Sequence, residues 1–120
     1  MNEIISIEKM SELLAQSPAE RVTKEYIESR ISMIEFSRIG QTLTHCRIVL
    51  SNAFSVTGES ACVNSENYNE EIGRKIAYDN AFAKTWQLFG FLLAEKNMLA
   101  GKNGPIPRDA YTDKILNPSA

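Results

Sequence analysis

Few side chains in this sequence could do covalent or acid–base chemistry. His45 is its only histidine, so a Ser-His or Cys-His dyad would have to run through it. It adjoins Cys46 in a stretch that reads as a strand, where neighbouring side chains point to opposite faces. His45 therefore reads as a surface or internally satisfied histidine. Cys46, Cys62 and His45 match no zinc-ligand spacing, so no metal is assigned. Glu66, Glu70 and Glu71 fall at the start of a long helical pattern, where acids serve the helix dipole. No Walker-type or dinucleotide-binding glycine pattern is present, and no cofactor is implied. No catalytic residue is assigned, and the expectation is that the chain is not an enzyme.

Binding chemistry is better represented. Gly73, Ala77 and Ala81 recur at steps of four on one helix face, which lets another backbone or a flat ligand come close. Arg74, Asn80, Lys84 and Gln87 flank that strip with hydrogen-bond donors. Three readings stay open: a solvated face, a subunit contact and an anion-binding wall. For the third, arginine can hold a phosphate through two parallel bonds, lysine supplies a point charge and asparagine can read a base or ribose edge. The Thr57 and Ser60 hydroxyls, from the same or a second subunit, would complete such a wall. The candidate ligand-binding set is thus Arg74, Asn80, Lys84, Thr57 and Ser60.

The elements that must position these residues follow from periodicity. Residues 6–16 place Ile7, Met10, Leu13 and Leu14 at helical spacing, and Ser17-Pro18 ends that helix. Thr23 reads as the N-cap of a second short helix that buries Ile27 and Ile31. The stretch 31–39 fits either a continued helix or a strand. Residues 43–50 and 54–63 read as two strands of a β-hairpin, with Gly58 marking a bulge or the close approach of another backbone. With Asn52-Ala53 as the turn, positions summing to 105 face each other, which sets Cys46 and Cys62 on opposite faces and unable to bridge. Asn67 with Glu70 suggests a capping box for one long helix over about 68–99. On its wheel Ile72, Ile76, Tyr78, Phe82, Ala83, Trp86, Phe89 and Leu93 share an apolar arc, taken as the core face. The expected fold is α+β: short N-terminal helices, a hairpin over about 43–63 packed on the long helix, and a Gly/Pro-rich tail or arm over 101–120. Residues 1–100 would form the single domain.

Composition narrows the function classes. At 120 residues one domain is expected. A formal net charge of −2 argues against general nucleic-acid binding. The first residues do not read as a secretory signal, and no apolar run is long enough to span a bilayer. Two cysteines are too few for a disulfide framework, so reduced thiols and a cytoplasmic setting are expected. A two-stranded hairpin is marginal alone, and beside a helix with a small-residue face it suggests an obligate oligomer built on a dimer.

A longer run of residues carries a resemblance. Cys46-Arg47-Ile48-Val49-Leu50, Asn52, Phe54 and Val56-Thr57-Gly58-Glu59-Ser60-Ala61-Cys62-Val63 form its first half. Asn67-Tyr68, the segment EIGRKIAY over 71–78, Asn80-Ala81, Trp86, Gly90 and Leu92-Leu93 form its second. Over about residues 40–95 the chain resembles a family of small tailed-phage and prophage proteins named after accessory proteins of N4-like and Sf6-like phages. Ala53 stands where that family usually has glycine, and Gln87-Leu88-Phe89 where it often has a proline or an acid. In size and plan the chain also resembles phage anti-defence sponges of the first Thoeris-inhibitor type. That resemblance implies a host-cytoplasmic protein that sequesters a cyclic nucleotide or cyclic ADP-ribose-type immune signal without cleaving it. It implies assembly as dimers or dimer-based hexamers. The alternative is an accessory protein that inhibits a host protein by direct binding.

Overall fold

The computed structural model describes residues 4–102, 104 and 106–119. The chain is α+β. Helices α1 (Ile7–Ala15) and α2 (Lys24–Ser29) precede strands β1 (Ile31–Ile39), β2 (Leu43–Leu50) and β3 (Ser55–Ala61). The long helix α3 (Glu70–Leu99) and a short α4 (Ala110–Leu116) follow. The strands form one antiparallel sheet in the order β1-β2-β3. The ambiguous stretch 31–39 is therefore a strand. Ile34 and Phe36 pair across to Ile48 and Cys46, so sheet hydrogen bonding and same-face packing decided what local pattern left open.

The β2–β3 register differs from the expected one. Facing positions sum to 104, as in Cys46↔Gly58 and Leu43↔Ala61. The loop has three residues: the Ala53 amide donates to the Leu50 carbonyl (2.9 Å) and the Leu50 amide to the Phe54 carbonyl (2.8 Å). Its last residue, Ala53, is left-handed with φ 74°, the geometry that a three-residue hairpin loop demands. One consequence corrects the cysteine reading. Cys62 bonds opposite Thr42, so it shares the helix-facing side of the ribbon with Cys46. The two thiols are kept apart by four positions of strand, roughly 13 Å, rather than by the sheet. Both are free, with Cys46 buried and Cys62 half-buried.

Helix α3 starts at its cap Asn69, whose side chain accepts from the Ile72 amide (3.0 Å), two residues beyond the expected Asn67. Asn67 instead closes a 3-10 turn, Ser65–Asn67. The helix lies on β3 and β2 with Gly73, Ala77, Ala81, Phe82, Thr85 and Phe89 buried. The small-residue strip is thus the face that meets the chain's own sheet. A Cβ on Gly58 would stand 2.2 Å from the Ala81 amide nitrogen and 2.5 Å from the Ala77 carbonyl oxygen. Strand and helix backbones touch there, and larger side chains on either would hold them apart. Ile27, Cys46, Ile48, Leu50 and Val56 complete the core with Ala77, Ala81, Phe82 and Phe89.

The expected core arc is split by this packing. Phe82 and Phe89 are buried, whereas Ile72, Ile76 and Trp86 are 60%, 44% and 42% exposed. The tail carries α4, capped by Asp109, whose carboxylate accepts from the Thr112 amide (2.7 Å). Neither α1 nor α4 has a buried residue. Residues 103, 105 and 120 of the expected tail lie outside the described residues, as do 1–3.

Candidate functional site

The five residues read from the sequence fall on separate surfaces. Arg74 pairs with Glu70 one turn back (2.5 Å), and its guanidinium lies 5.3 Å from the Phe36 ring centroid. Asn80 spends its amide on the fold, donating to the Glu59 carbonyl (2.8 Å) and tying α3 to the β3 backbone. Lys84 is exposed and has no hydrogen-bonded or ionic partner among the described residues. Thr57 faces Arg47 across the ladder, on the side of the sheet away from α3. There Arg47 pairs with Glu35 and donates to Ser55 (3.2 Å), and His45 lies 3.9 Å from Glu59. Ser60 is on the helix side, lining a small cavity of about 180 Å³ with Thr44, Cys62, Tyr68 and Gly73. The sheet therefore separates Thr57 from Ser60, and the wall assembled from sequence is not one surface within a single copy.

A larger concavity forms where sequence reading placed no site. Residues 20–23 and Tyr26 cross the C-terminal half of α3 and enclose about 380 Å³ with Phe89, Leu92, Leu93 and Lys96. Its floor is aromatic: Tyr26 meets Phe89 edge-on with ring centroids 5.9 Å apart. Arg30 fixes Tyr26 by donating to its hydroxyl (3.2 Å) and lies 5.6 Å from the Phe89 centroid. Arg30 also donates to Ser51 (2.7 Å), which anchors α2 to the β2–β3 loop. At the rim, Lys96 Nζ reaches both Glu20 carboxylate oxygens, at 3.1 and 3.3 Å. Arg21 is exposed and has no ionic partner among the described residues.

Chemically, the cleft offers an apolar and aromatic wall for a flat ring, with two cations at its mouth. Its volume falls in the ~300–1,000 Å³ range of small-molecule sites. An anion that enters can exchange with Glu20 for Lys96 and recruit Arg21 at little cost, since an exposed ion pair contributes only ~0–1 kcal/mol. No local signal marked this site, because Glu20 and Lys96 are brought together across most of the domain. Phe89 was visible in the sequence, but only as a core residue.

Among the described residues no group of histidine, cysteine and acidic side chains is arranged to hold a metal ion. No helix among them is long and apolar enough to cross a membrane. Burial pushes the Cys46 thiol above its ordinary range. Burial, then the charge of Glu28, does the same to the Tyr78 phenol. Cys46 sits in the core and half-buried Tyr78 packs against it, both away from the cleft.

Comparison with protein families matches residues 22–97 to the phage protein (N4 Gp49/phage Sf6 gene 66) family. Comparison with curated proteins and with solved structures returns no match.

Proposed function

From the premise that this chain belongs to the N4 Gp49/Sf6 gene 66 family of phage proteins, we propose that it works in the cytoplasm of the infected host as an anti-defence protein. In this reading it binds and sequesters a cyclic nucleotide or cyclic ADP-ribose-type immune signal, does not cleave it, and assembles as a homo-oligomer. The observation that carries the proposal is the cleft between residues 20–26 and α3. It pairs ring-sized apolar walls with Arg21 and Lys96, the combination that a base joined to phosphates requires. Arg74, Asn80 and Lys84, with Thr57 and Ser60, remain the second candidate wall, one that a neighbouring subunit would have to complete.

The test is ligand retention. Purified protein is incubated with cyclic ADP-ribose and with cyclic dinucleotides, washed, denatured, and the released small molecules are weighed by mass spectrometry. Intact ligand should be recovered. At a ligand concentration of ~100 Kd the melting temperature should rise by about 10 °C, since such binding adds ~2.7 kcal/mol. Arg21→Ala and Lys96→Ala should each weaken retention about ten- to a hundredfold, the ~1.5–3 kcal/mol of a charge-assisted bond. Loss of retention in Arg74→Ala and Lys84→Ala instead would move the site to the second wall. Recovery of a hydrolysed product, or of no ligand with any of these probes, would overturn the proposal.

A second reading rests on the tail. Helix α4 presents Tyr111, Ile115 and Leu116 at 75%, 59% and 64% exposure, an apolar side suited to a groove on a host protein. Inhibition by direct binding predicts a captured host enzyme whose release follows deletion of 106–119, with no thermal shift by nucleotides.

A further inference from the structure

Helix α4 is too short to stand alone. At seven residues it falls well below the ~12–15 that an isolated helix needs in water. Its start is nevertheless encoded: Asp109 caps it, and the Arg108 guanidinium pairs with Asp113. None of its residues is buried, so its present position does not supply the missing stabilisation. Tyr111, Lys114 and Ile115 share one side of it, at helical steps of three and four.

An uncovered surface lies close by along the chain. Beyond Phe89, helix α3 carries Phe91, Leu92, Glu95, Met98 and Leu99 on one side, again at steps of three and four. The four apolar members are exposed, and Glu95 is half-buried. We propose that α4 folds back on this stripe, antiparallel to α3, and closes a helical hairpin that masks its own apolar side.

Tether, register and charge select this occupant. Residues 100–109 join the two helices and can span about 33 Å, whereas packed helix axes lie only ~8–10 Å apart. Helix α4 rises roughly 10 Å, as much as residues 92–99 of α3. Tyr111 is the second residue of α4 and Met98 the second from the end of α3, so the two meet beside the turn. Lys114 and Glu95 each lie four residues further from the turn than Ala110 and Leu99, which sets ammonium and carboxylate in one layer. Neither has an ionic partner among the described residues. Ile115 then falls towards Leu92. The antiparallel direction also places the positive N-terminal end of α4 beside the negative C-terminal end of α3.

Leu92 lines the cleft as well, so a seated α4 walls one side of it and leaves the mouth at Arg21 and Lys96 open. Closed, the hairpin withholds Tyr111 and Ile115 from any groove on a host protein. It is a self-masking contact.

Cross-linking within the full chain tests this. Glu95→Cys/Lys114→Cys, oxidised at low protein concentration, should form a disulfide inside one chain, located by peptide mass spectrometry. Gly90→Cys/Lys114→Cys, with its first thiol on the far side of α3, should bridge at least about tenfold more slowly. Adding Tyr111→Ser and Ile115→Ser to the first pair should slow its bridging about fivefold or more, because the apolar contact is lost. Without any new cysteine, Glu95→Lys should speed amide exchange across 110–116, and Lys114→Glu added to it should restore the parent rate. Equal bridging by the two cysteine pairs, bridging between chains instead of within one, or exchange in 110–116 that charge reversal leaves unchanged would overturn the hairpin. Nucleotide retention is measured without reference to α4, so a failed hairpin leaves the ligand reading standing.

Discussion

Gly58 sits where the backbones of β3 and α3 come closest, and the size of one residue there sets the spacing of the two layers. In Gly58→Ala the added methyl would face the Ala81 nitrogen, the Ala77 oxygen and the Asn80 carbonyl carbon (2.8 Å), none of which can rotate away. The helix must then shift, which also strains the Asn80 bond to the Glu59 carbonyl. Overpacking of this kind costs ~1–3 kcal/mol or more. For a domain of this size that lowers the melting temperature by roughly 10 °C or more. A thermal melt within 3 °C of the parent, taken as about 0.5 kcal/mol, would mean that the layers are not in backbone contact. The partner of Arg74 is an exposed carboxylate on its own helix, so this side chain holds little of the fold together.

At the scale of elements, the β2–β3 hairpin depends on one loop residue. Ala53 is the sole non-glycine residue with positive φ among those described. The left-handed region costs an alanine on the order of 1 kcal/mol relative to glycine. Ala53→Gly should therefore raise stability by several tenths to about 1 kcal/mol, the relief being partly offset by the greater freedom of glycine in the unfolded chain. Equilibrium urea unfolding checks this, and a variant less stable than the parent would show that Ala53 is unstrained. The same loop explains the register: three residues pair Cys46 with Gly58, whereas a two-residue turn would slip every pair by one. Helix α3 owes its start to Asn69 and its length to the absence of proline. Its seat on the sheet comes from Gly73, Ala77 and Ala81.

For the whole molecule, the radius of gyration is 19.9 Å, against about 14 Å for a compact domain of this length. The excess comes from α1 and α4, which bury nothing, so the folding energy resides in the sheet, α2 and α3. Two groups, one in that core and one packed against it, have protons that the fold protects. The Cys46 thiol and the Tyr78 phenol are both raised from ordinary values of 9.0 and 10.0. As pH climbs past ~9 the unfolded chain releases these protons before the folded one does, so it binds fewer protons and is favoured. The contribution of these two groups is complete below pH ~9 and declines through the alkaline range. Melting temperatures should fall progressively from pH ~9 to ~10.5, and Cys46→Ala should flatten the first part of the fall. A melting temperature that stays constant across this range would show that neither group is shielded.

Much of the architecture was legible because local pattern encodes it. Proline and glycine positions, the strand composition of 43–50 and 54–63 and the unbroken run to Leu99 predicted the hairpin, the long helix and the α+β class. Gly58 was readable as either a bulge or a point of close backbone approach, and the structure shows the second. Apolar periodicity, however, ranks side chains by size and hydrophobicity, and on α3 it ranked Ile72, Ile76 and Trp86 above Gly73, Ala77 and Ala81. The tertiary structure kept Phe82 and Phe89 of the expected arc but centred the buried face on Gly73, Ala77 and Ala81, because a strand carrying Gly58 can be approached closely only by small residues. The same choice left Ile72, Ile76 and Trp86 largely exposed and gave Asn80 a backbone partner. It also left Thr57 on the far side of the sheet. The cleft between Glu20 and Lys96 could not be read locally at all. Its walls meet only once the chain has returned along α3, and long-range proximity is a property of the packed molecule.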